Sequence, residues 1–268
     1  MPTPPEPIRI EAIEVSPTCE GAVWRVEDEG HLAALVARIL VGHYLHVQMV
    51  CTGSDAPPVS PSDEVIDAAI AKLRVSTDPL RMHRDGWVFQ MISWIAAVSS
   101  EKAALIRAPQ PRAADKGFDG LILHLGDSPE EIRAIICEDK ATERPRRTIR
   151  DEVWPEIARI ETGSRDAELM SEVSSLLHQV HDTAKVVEII GQIYWAGKRR
   201  YRVSVTADSG HSSSTELYRL FKGYDSCVAG AVHRRRGETL PLSDLRAWME
   251  SFALKVIAVL ASMKKHDV

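Results

Sequence analysis

Two short apolar segments, each with charge at one end, constrain this chain more than any other feature. They are residues 116–123 (Lys-Gly-Phe-Asp-Gly-Leu-Ile-Leu) and residues 135–140 (Ile-Ile-Cys-Glu-Asp-Lys). Each predicts a strand. Side chains alternate between the two faces of a strand, so Glu138 and Lys140 share one side and Asp139 points to the other. If the two strands are adjacent, Asp119 meets Glu138 and Lys140 where they end.

This grouping suits a divalent metal with a water beside it. Mg²⁺ prefers oxygen ligands, retains several waters and usually takes one or two protein carboxylates. Here Asp119 and Glu138 would supply the carboxylates, and the backbone carbonyl of Asp139 would supply a third oxygen. Mg²⁺ (or Mn²⁺) lowers the pKa of a bound water and offsets charge that builds on a phosphate. Lys140 would orient the attacking water and stabilise the negative charge of the transition state.

Charged strand ends also have a simpler explanation, because Asp, Glu and Lys are common there and a D…E-x-K pattern recurs by chance. The context of Glu138 favours a site. It ends an apolar strand that is expected to be buried on both faces, where an unpaired carboxylate is costly. The turn formers of residues 126–129 (Gly-Asp-Ser-Pro) predict a hairpin between the two strands. We therefore assign Asp119, Glu138 and Lys140 as the candidate catalytic residues.

With Gly-Phe-Asp-Gly, a hairpin and then Glu-Asp-Lys, residues 87–208 resemble the PD-(D/E)xK nuclease superfamily. Asp119, Glu138 and Lys140 match the superfamily motif residue by residue. The flanking order of a helix, three strands, a helix and a strand agrees with it. The resemblance implies the restriction-endonuclease-like α/β fold, in which a mixed sheet is flanked by helices.

More narrowly, the chain resembles the HamA family, the nuclease subunits of the Hachiman anti-phage defence systems. This resemblance extends over most of the chain and implies a DNA substrate, a defence role and a helicase partner, HamB. The sequence departs from the superfamily in one respect. Many members place a glutamate on the helix before the first strand, but here no acid lies between Asp85 and Glu101. Gln90 is the nearest polar candidate for that position.

The predicted organisation is a nuclease core with N-terminal and C-terminal helical additions. Residues 1–56 would form an acidic α/β extension, residues 62–208 the core, and residues 209–268 a C-terminal helical extension packed on the core. Turn formers at residues 53–61 separate the first two. Local patterns further predict strands over 8–15 and 201–207, and helices over 31–45, 63–74, 87–98, 151–160, 169–180, 186–195 and 245–263.

Charge is distributed unevenly along the chain. The net charge is −5, but residues 1–70 hold 11 acidic and 3 basic residues, so they carry −8 and the remaining 198 residues carry +3. Three basic clusters lie at 144–150, 198–202 and 234–236. The first follows the Glu-Asp-Lys strand and is predicted to contact the nucleic-acid backbone, whereas the other two are expected to be solvated surface. The predicted phosphate contacts are Arg144, Arg146, Arg147 and Arg150.

The remaining features narrow the class of protein. No apolar run approaches the ~20 residues of a membrane span, the first residues lack signal-peptide features, and the four scattered cysteines favour a cytoplasmic protein with reduced thiols. We expect a metal-dependent, largely sequence-nonspecific DNA endonuclease. Two alternatives stay open: a non-catalytic adaptor with a nuclease-like fold, in which Glu138 and Lys140 form a structural salt bridge, and an RNA-cleaving nuclease of the same fold.

Overall fold

The described part of the chain folds around a mixed sheet of seven strands. In this computed structural model it comprises residues 6–264 except 16, 55–56, 58, 112–116, 127–130 and 195. The order across the sheet is β1-β2-β7-β6-β5-β4-β3. β2, β7, β6 and β5 are parallel, whereas β1, β4 and β3 are antiparallel to their neighbours. The strands are β1 (Ile8–Val15), β2 (Cys19–Val26), β3 (Leu105–Ile106), β4 (Gly120–His124), β5 (Arg133–Lys140), β6 (Arg199–Ala207) and β7 (Arg235–Pro241).

Helices connect the strands and cover both faces of the sheet. Between β2 and β3 lie α1 (Glu29–Leu40), α2 (Tyr44–Cys51), α3 (Asp63–Leu73) and α4 (Asp78–Ser100). Between β5 and β6 lie α5 (Pro145–Thr148), a π-helical segment (Ile149–Val153), α6 (Trp154–Glu161), α7 (Asp166–Leu177) and α8 (Thr183–Ile193). The 3-10 turns Ala196–Lys198 and Val232–Arg234 lead into β6 and β7, respectively. Between these two strands lie α9 (Ser214–Leu220) and α10 (Tyr224–Cys227). The last helix, α11 (Leu245–Ser262), follows β7.

The two faces of the sheet bury separate hydrophobic cores, because alternate side chains of a strand point to opposite sides. One core is built by α1 to α4 and α11, on the face that includes Trp24 of β2. The other is built by α6 to α10, on the face that includes Ile136 of β5. Complete burial of one such large apolar side chain contributes roughly 1.5–3 kcal/mol. β5 is therefore covered on both faces, as its continuous apolar run predicts.

Most predicted elements are present, with shifted ends. The strands at β1 and β6 and the helices α3, α4, α7, α8 and α11 are confirmed. The helix predicted over residues 31–45 is instead two helices, because Gly42 adopts a left-handed φ of 86° between α1 and α2, a conformation that glycine adopts readily. Pro155 lies in the first turn of α6, directly after the π-helical segment, where its missing N–H is tolerated.

Residues from both ends of the chain supply strands to the same sheet. β2 and β7, neither of which local patterns predict, lie side by side and join the N-terminal hairpin to the parallel strands. The C-terminal addition, expected to be helical, thus also contributes a central strand. The α/β class with a mixed sheet flanked by helices is confirmed. Some residues of the predicted elements lie outside the described residues. They are Lys116, Trp195, residues 127–129 of the predicted hairpin turn and part of the predicted linker.

Two of the three basic clusters are largely buried. Arg199, Arg202, Arg234 and Arg235 are each at most 8% exposed, so the expectation of solvated surface is wrong for them. A guanidinium has five donors and can satisfy several acceptors at once. Arg235, for example, donates to three backbone carbonyls between 2.6 and 2.9 Å. None of the helices in the described ranges has both the length and the apolar character that a membrane crossing requires.

Candidate active site

The beginning of β4 and the end of β5 bring the predicted catalytic residues together. The two strands are antiparallel, and Gly120 lies opposite Cys137, so Asp119 lies beside Glu138. A Cβ on Gly120 would come within 3.0 Å of the Cys137 Cβ. Glycine at this position therefore lets the strands approach closely, just where the Asp119 side chain must reach its neighbours.

One ammonium group lies between two carboxylates at this strand end. Lys140 Nζ is 3.3 Å from Asp119 Oδ2 and 3.1 Å from Glu138 Oε2. Glu138 is only 5% exposed, whereas 28% of the Lys140 side-chain surface remains accessible. The structure thus brings the three predicted catalytic side chains together, and the cluster is open to solvent on the side of Lys140.

The surroundings shift the protonation of both Glu138 and Lys140. Burial raises the pKa of Glu138 to about 7, although the Lys140 ammonium acts in the opposite direction. Burial disfavours the charged form of Lys140, but the carboxylates of Glu138 and Asp119 outweigh it and raise the Lys140 pKa. Lys140 is therefore a permanent cation at neutral pH. A second cation beside Glu138 would favour the ionised form of this carboxylate.

Asp139 uses its backbone and its side chain on different sides of β5. Its N–H donates to Asp119 Oδ2 at 2.9 Å, and its carbonyl points to the same edge, because both backbone groups of a strand residue face one neighbour. The carboxylate turns toward α4, where Ser93 Oγ donates to Oδ1 at 2.7 Å. Burial raises the pKa of Asp139 to about 7, opposed by the nearby Arg202. Asp139 can therefore offer only its carbonyl oxygen to an ion beside Asp119.

Gln90 on α4 completes the hydrogen bonds of Asp119. Its Nε2 donates to Asp119 Oδ1 at 2.6 Å. Asp119 thus receives one donor on Oδ1 and two on Oδ2, the latter from Asp139 N–H and Lys140 Nζ. These bonds satisfy a carboxylate that is only partly exposed and fix its orientation. The polar residue on the helix before β4 is therefore a partner of Asp119, although it is an amide and not an acid.

Two tryptophans of α4 anchor the chain that leads to β4. Trp87 Nε1 donates to the carbonyl of Gln110 at 2.8 Å, and Trp94 Nε1 donates to the carbonyl of Arg107 at 2.9 Å. Both indoles are buried, which confirms that they belong to the core. Gln110 Nε2 and an Arg107 guanidinium nitrogen in turn donate to the carbonyl of Phe118. Helix α4 therefore positions Asp119 both directly and through the residue before it.

The four arginines that follow β5 have different surroundings. Arg146 donates to two backbone carbonyls of the turn between α9 and α10, at 2.9 and 3.0 Å, and so ties α5 to that turn. Arg147 and Arg150 are exposed and pair with Asp151, at 3.6 and 2.6 Å. Arg144 is also exposed. Three of the four therefore present their guanidinium groups to solvent, and Arg146 is engaged within the fold.

A buried ionic network behind the site is a feature that local sequence patterns do not reveal. Arg202 Nε donates to Glu238 Oε2 at 2.7 Å, and the Trp24 indole donates to the same oxygen at 3.0 Å. Arg202 also reaches the carbonyl of Ser93 at 3.4 Å. The available signal is in α4, because Ser93 follows Gln90 by three residues and so places two polar side chains on one side of the apolar stretch from Trp87 to Val98.

The oxygen atoms around Lys140 suit a hard divalent cation. Across the described residues, no three His, Cys, Asp or Glu side chains converge closely enough to hold an ion by themselves. Asp119 and Glu138 form a pair that already shares one cationic group. Mg²⁺ commonly takes one or two carboxylates and completes its shell with water and phosphate oxygens. This pair and the Asp139 carbonyl therefore fit Mg²⁺ or Mn²⁺.

Comparison with known proteins gives no match to a family model, a curated protein or a solved structure. The functional interpretation of the chain therefore depends on the geometry of this site and on the motif that builds it.

Proposed function

We propose that this chain is a metal-dependent phosphodiesterase of the PD-(D/E)xK type that cleaves DNA. The observation that carries the proposal is the position of the Lys140 ammonium between the carboxylates of Asp119 and Glu138, where two antiparallel strands end. Two carboxylates that can hold a divalent ion, with an ammonium group beside them, suit the metal-assisted hydrolysis of a phosphodiester.

Each side chain of the site has a separate role in the proposed mechanism. Mg²⁺ (or Mn²⁺), held by Asp119, Glu138 and the Asp139 carbonyl, would supply a Lewis acid and neutralise charge on the phosphate. Lys140 carries its charge at neutral pH, so it orients the attacking water and stabilises the negative charge that develops in the transition state. Gln90 and the Asp139 N–H hold the Asp119 carboxylate in place before substrate arrives. The site is thus organised in advance of binding.

The test is incubation of the purified chain with plasmid DNA and with RNA, in Mg²⁺ or in EDTA. Cleavage of DNA that requires Mg²⁺ is expected. Arg144, Arg147 and Arg150 suit contacts with phosphates rather than with base edges, so the cut sites should show little sequence preference when mapped on a plasmid or phage genome. A sharp consensus would contradict the nonspecific interpretation, and cleavage of RNA alone would favour the RNA-cleaving alternative.

The resemblance to the HamA family supports an effector role in a two-component anti-phage defence system. A nonspecific nuclease in the cytoplasm would damage host DNA, so the chain is expected to be held inactive by a helicase partner of the HamB type until ATP-dependent release. Residues 1–70, with a charge of −8, would repel DNA and suit a basic face of that partner. Co-purification and cleavage assays with and without ATP test this control. Full unregulated activity of the complex, or failure to form one, contradicts it.

The second candidate function is a non-catalytic adaptor, and one observation favours it. Lys140 is engaged by both carboxylates at once, which is also how a structural ion-pair cluster is built. The two functions differ in metal binding. Calorimetric titration with Mn²⁺ should detect a site in the wild type and lose it in Glu138→Ala if the nuclease proposal is right. An adaptor would bind no ion there, and removal of Glu138 would change only the stability of the fold.

A further inference from the structure

A second group of charged side chains lies at the opposite end of the sheet from Lys140. Five neighbouring strands place one side chain each on the α4 face there, and the end of α4 adds Glu101. Together they border a cavity of about 80 Å³. Along β5, Arg133 of this group is five residues from Glu138 of the candidate active site. At about 3.3 Å per residue, the two positions are roughly 17 Å apart. The five strand residues, in their order across the sheet, are Glu20, Arg236, Arg200, Arg133 and His124.

The carboxylate at the centre of this group, Glu101, already has partners on both of its oxygens. Glu101 Oε1 accepts a hydrogen bond from Arg236 Nη1 at 2.7 Å, and Glu101 Oε2 is 3.1 Å from His124 Nε2. Hydrogen bonds from His124 and Arg236 lower the pKa of Glu101 to about 2. Glu20, the other acid at the cavity, is exposed to solvent. The central carboxylate is therefore hydrogen-bonded to Arg236 and His124, and it acts on Arg200 only through its charge, without a hydrogen bond.

Arg133 and Arg200 form no ion pair with a carboxylate of the described residues. Arg133 Nε is buried without a hydrogen-bond partner, and neither guanidinium forms an ion pair within 4 Å in the described ranges. Burial lowers the pKa of Arg200 and the neighbouring charge of Arg133 lowers it further, whereas the carboxylates of Glu20 and Glu101 act in the opposite direction. Arg200 lies opposite Ile135 and so diagonal to Arg133 on the same face of the sheet, a spacing that long side chains can bridge, so the two like charges repel each other. The pair is therefore in an unfavourable arrangement unless an anion lies between the two groups.

We propose that Arg133 and Arg200 form a binding site for a small phosphate-bearing anion, separate from the candidate active site and independent of cleavage. The planar fork of a guanidinium matches phosphate oxygens in bidentate geometry. Two such forks from neighbouring strands converge on one cavity, whose other walls carry the Arg236 and His124 side chains. The volume of about 80 Å³ suits a single phosphate group and is too small for a duplex. Inorganic phosphate and a mononucleotide share this chemistry.

Calorimetry and thermal unfolding of the full chain with inorganic phosphate, at constant ionic strength and without divalent metal, test the site. We expect one phosphate bound per chain and a higher Tm than in chloride, because a ligand that binds only the folded state stabilises it. Arg133→Gln and Arg200→Gln should each weaken binding at least tenfold. Both variants should fold, since neither loses an ion pair. Arg74→Gln removes an equal charge from the exposed end of α3 and should bind like the wild type.

The same measurement on Lys140→Ala separates the two sites, and binding should persist in this variant. Loss of binding in Lys140→Ala, equal binding in Arg133→Gln and the wild type, or no preference for phosphate over chloride would each overturn the proposal. Adenosine monophosphate should compete with inorganic phosphate. A 5′-phosphorylated single-stranded oligonucleotide should compete more weakly than the mononucleotide, and tighter binding of the oligonucleotide would overturn the assignment to a small anion.

Discussion

The two ends of β5 have opposite charge imbalances, although one apolar strand joins them. At the C-terminal end, the carboxylates of Asp119 and Glu138 outnumber the single ammonium between them. At the N-terminal end, Arg133 and its neighbour Arg200 have no carboxylate of the described residues within ion-pair distance. The first imbalance suits a cation and the second an anion. Partly buried charge that the fold does not balance is thus a better sign of a ligand site than the number of charged residues.

The largest expected effect comes from the carboxylate-rich end. If the proposed nuclease function is right, Glu138→Ala or Lys140→Ala should lower the rate of DNA cleavage by about a thousandfold or more, because each side chain would act on the transition state. Glu138→Ala should also raise Tm above pH 7, because burial raises the pKa of Glu138 to about 7 and its ionised form therefore opposes folding there. Plasmid cleavage and thermal unfolding measure the two effects. Glu152→Ala removes an exposed carboxylate and is the matched control. Wild-type cleavage by Glu138→Ala would remove the case for a metal site.

At the arginine-rich end, the Glu101→Gln substitution removes the carboxylate that is hydrogen-bonded to Arg236 and His124. The pKa of Glu101 falls from the usual 4.5 to about 2, and each pKa unit corresponds to ~1.4 kcal/mol, so ionised Glu101 stabilises the fold by about 3 kcal/mol. A lowered pKa gives stability that is complete above pH 4.5 and is lost as the pH falls toward 2. Denaturant unfolding of Glu101→Gln should therefore differ from the wild type at pH 7 and converge with it near pH 2. A difference that is the same at both pH values would contradict this assignment.

A smaller effect is expected for the amide that orients Asp119. Gln90→Leu should lower cleavage by about 10- to 100-fold, as is usual when a partner of a metal ligand is removed, and should raise the Mg²⁺ concentration needed for half-maximal activity. Gln90→Glu brings a carboxylate next to Asp119, so the cleavage rate of this variant should depend more steeply on the Mg²⁺ concentration than that of Gln90→Leu. Titration of cleavage rate against Mg²⁺ measures both variants. Unchanged Mg²⁺ dependence in Gln90→Leu would show that Gln90 does not position Asp119.

The smallest effects distinguish two arginines that are adjacent in sequence. Arg147→Ala should weaken DNA binding a few-fold and reduce the slope of log affinity against log salt by about 1, with no change in Tm. Arg146→Ala should instead lower Tm, because its hydrogen bonds tie α5 to the turn between α9 and α10. DNA binding at several salt concentrations and thermal unfolding measure the pair. Equal effects of the two variants would show that Arg146 also contacts phosphate.

The carboxylate-rich end was predictable from sequence and the arginine-rich end was not. Glu138 and Lys140 are two residues apart on one strand, so alternation alone puts them on the same side. Arg133 and Arg200 become neighbours only because β6 packs beside β5 after four intervening helices. β7 was missed for a related reason. Its buried Glu238 is compensated by partners from β2 and β6, and such compensation depends on the tertiary fold.

The position of β7 between β2 and β6 has a consequence for how the protein is made. Glu20 and Arg236 are paired in the sheet, but a ribosome adding about 5–20 residues per second separates their synthesis by on the order of 10–40 s. During this interval the edge of β2 lacks its partner strand, and the edge of β6 lacks it from the time β6 is made. Unpaired strand edges favour aggregation. A nascent chain can thus carry Asp119, Glu138 and Lys140 long before their sheet is complete. Synthesis of β7 is therefore the step that turns two separate sheet fragments into one folded protein.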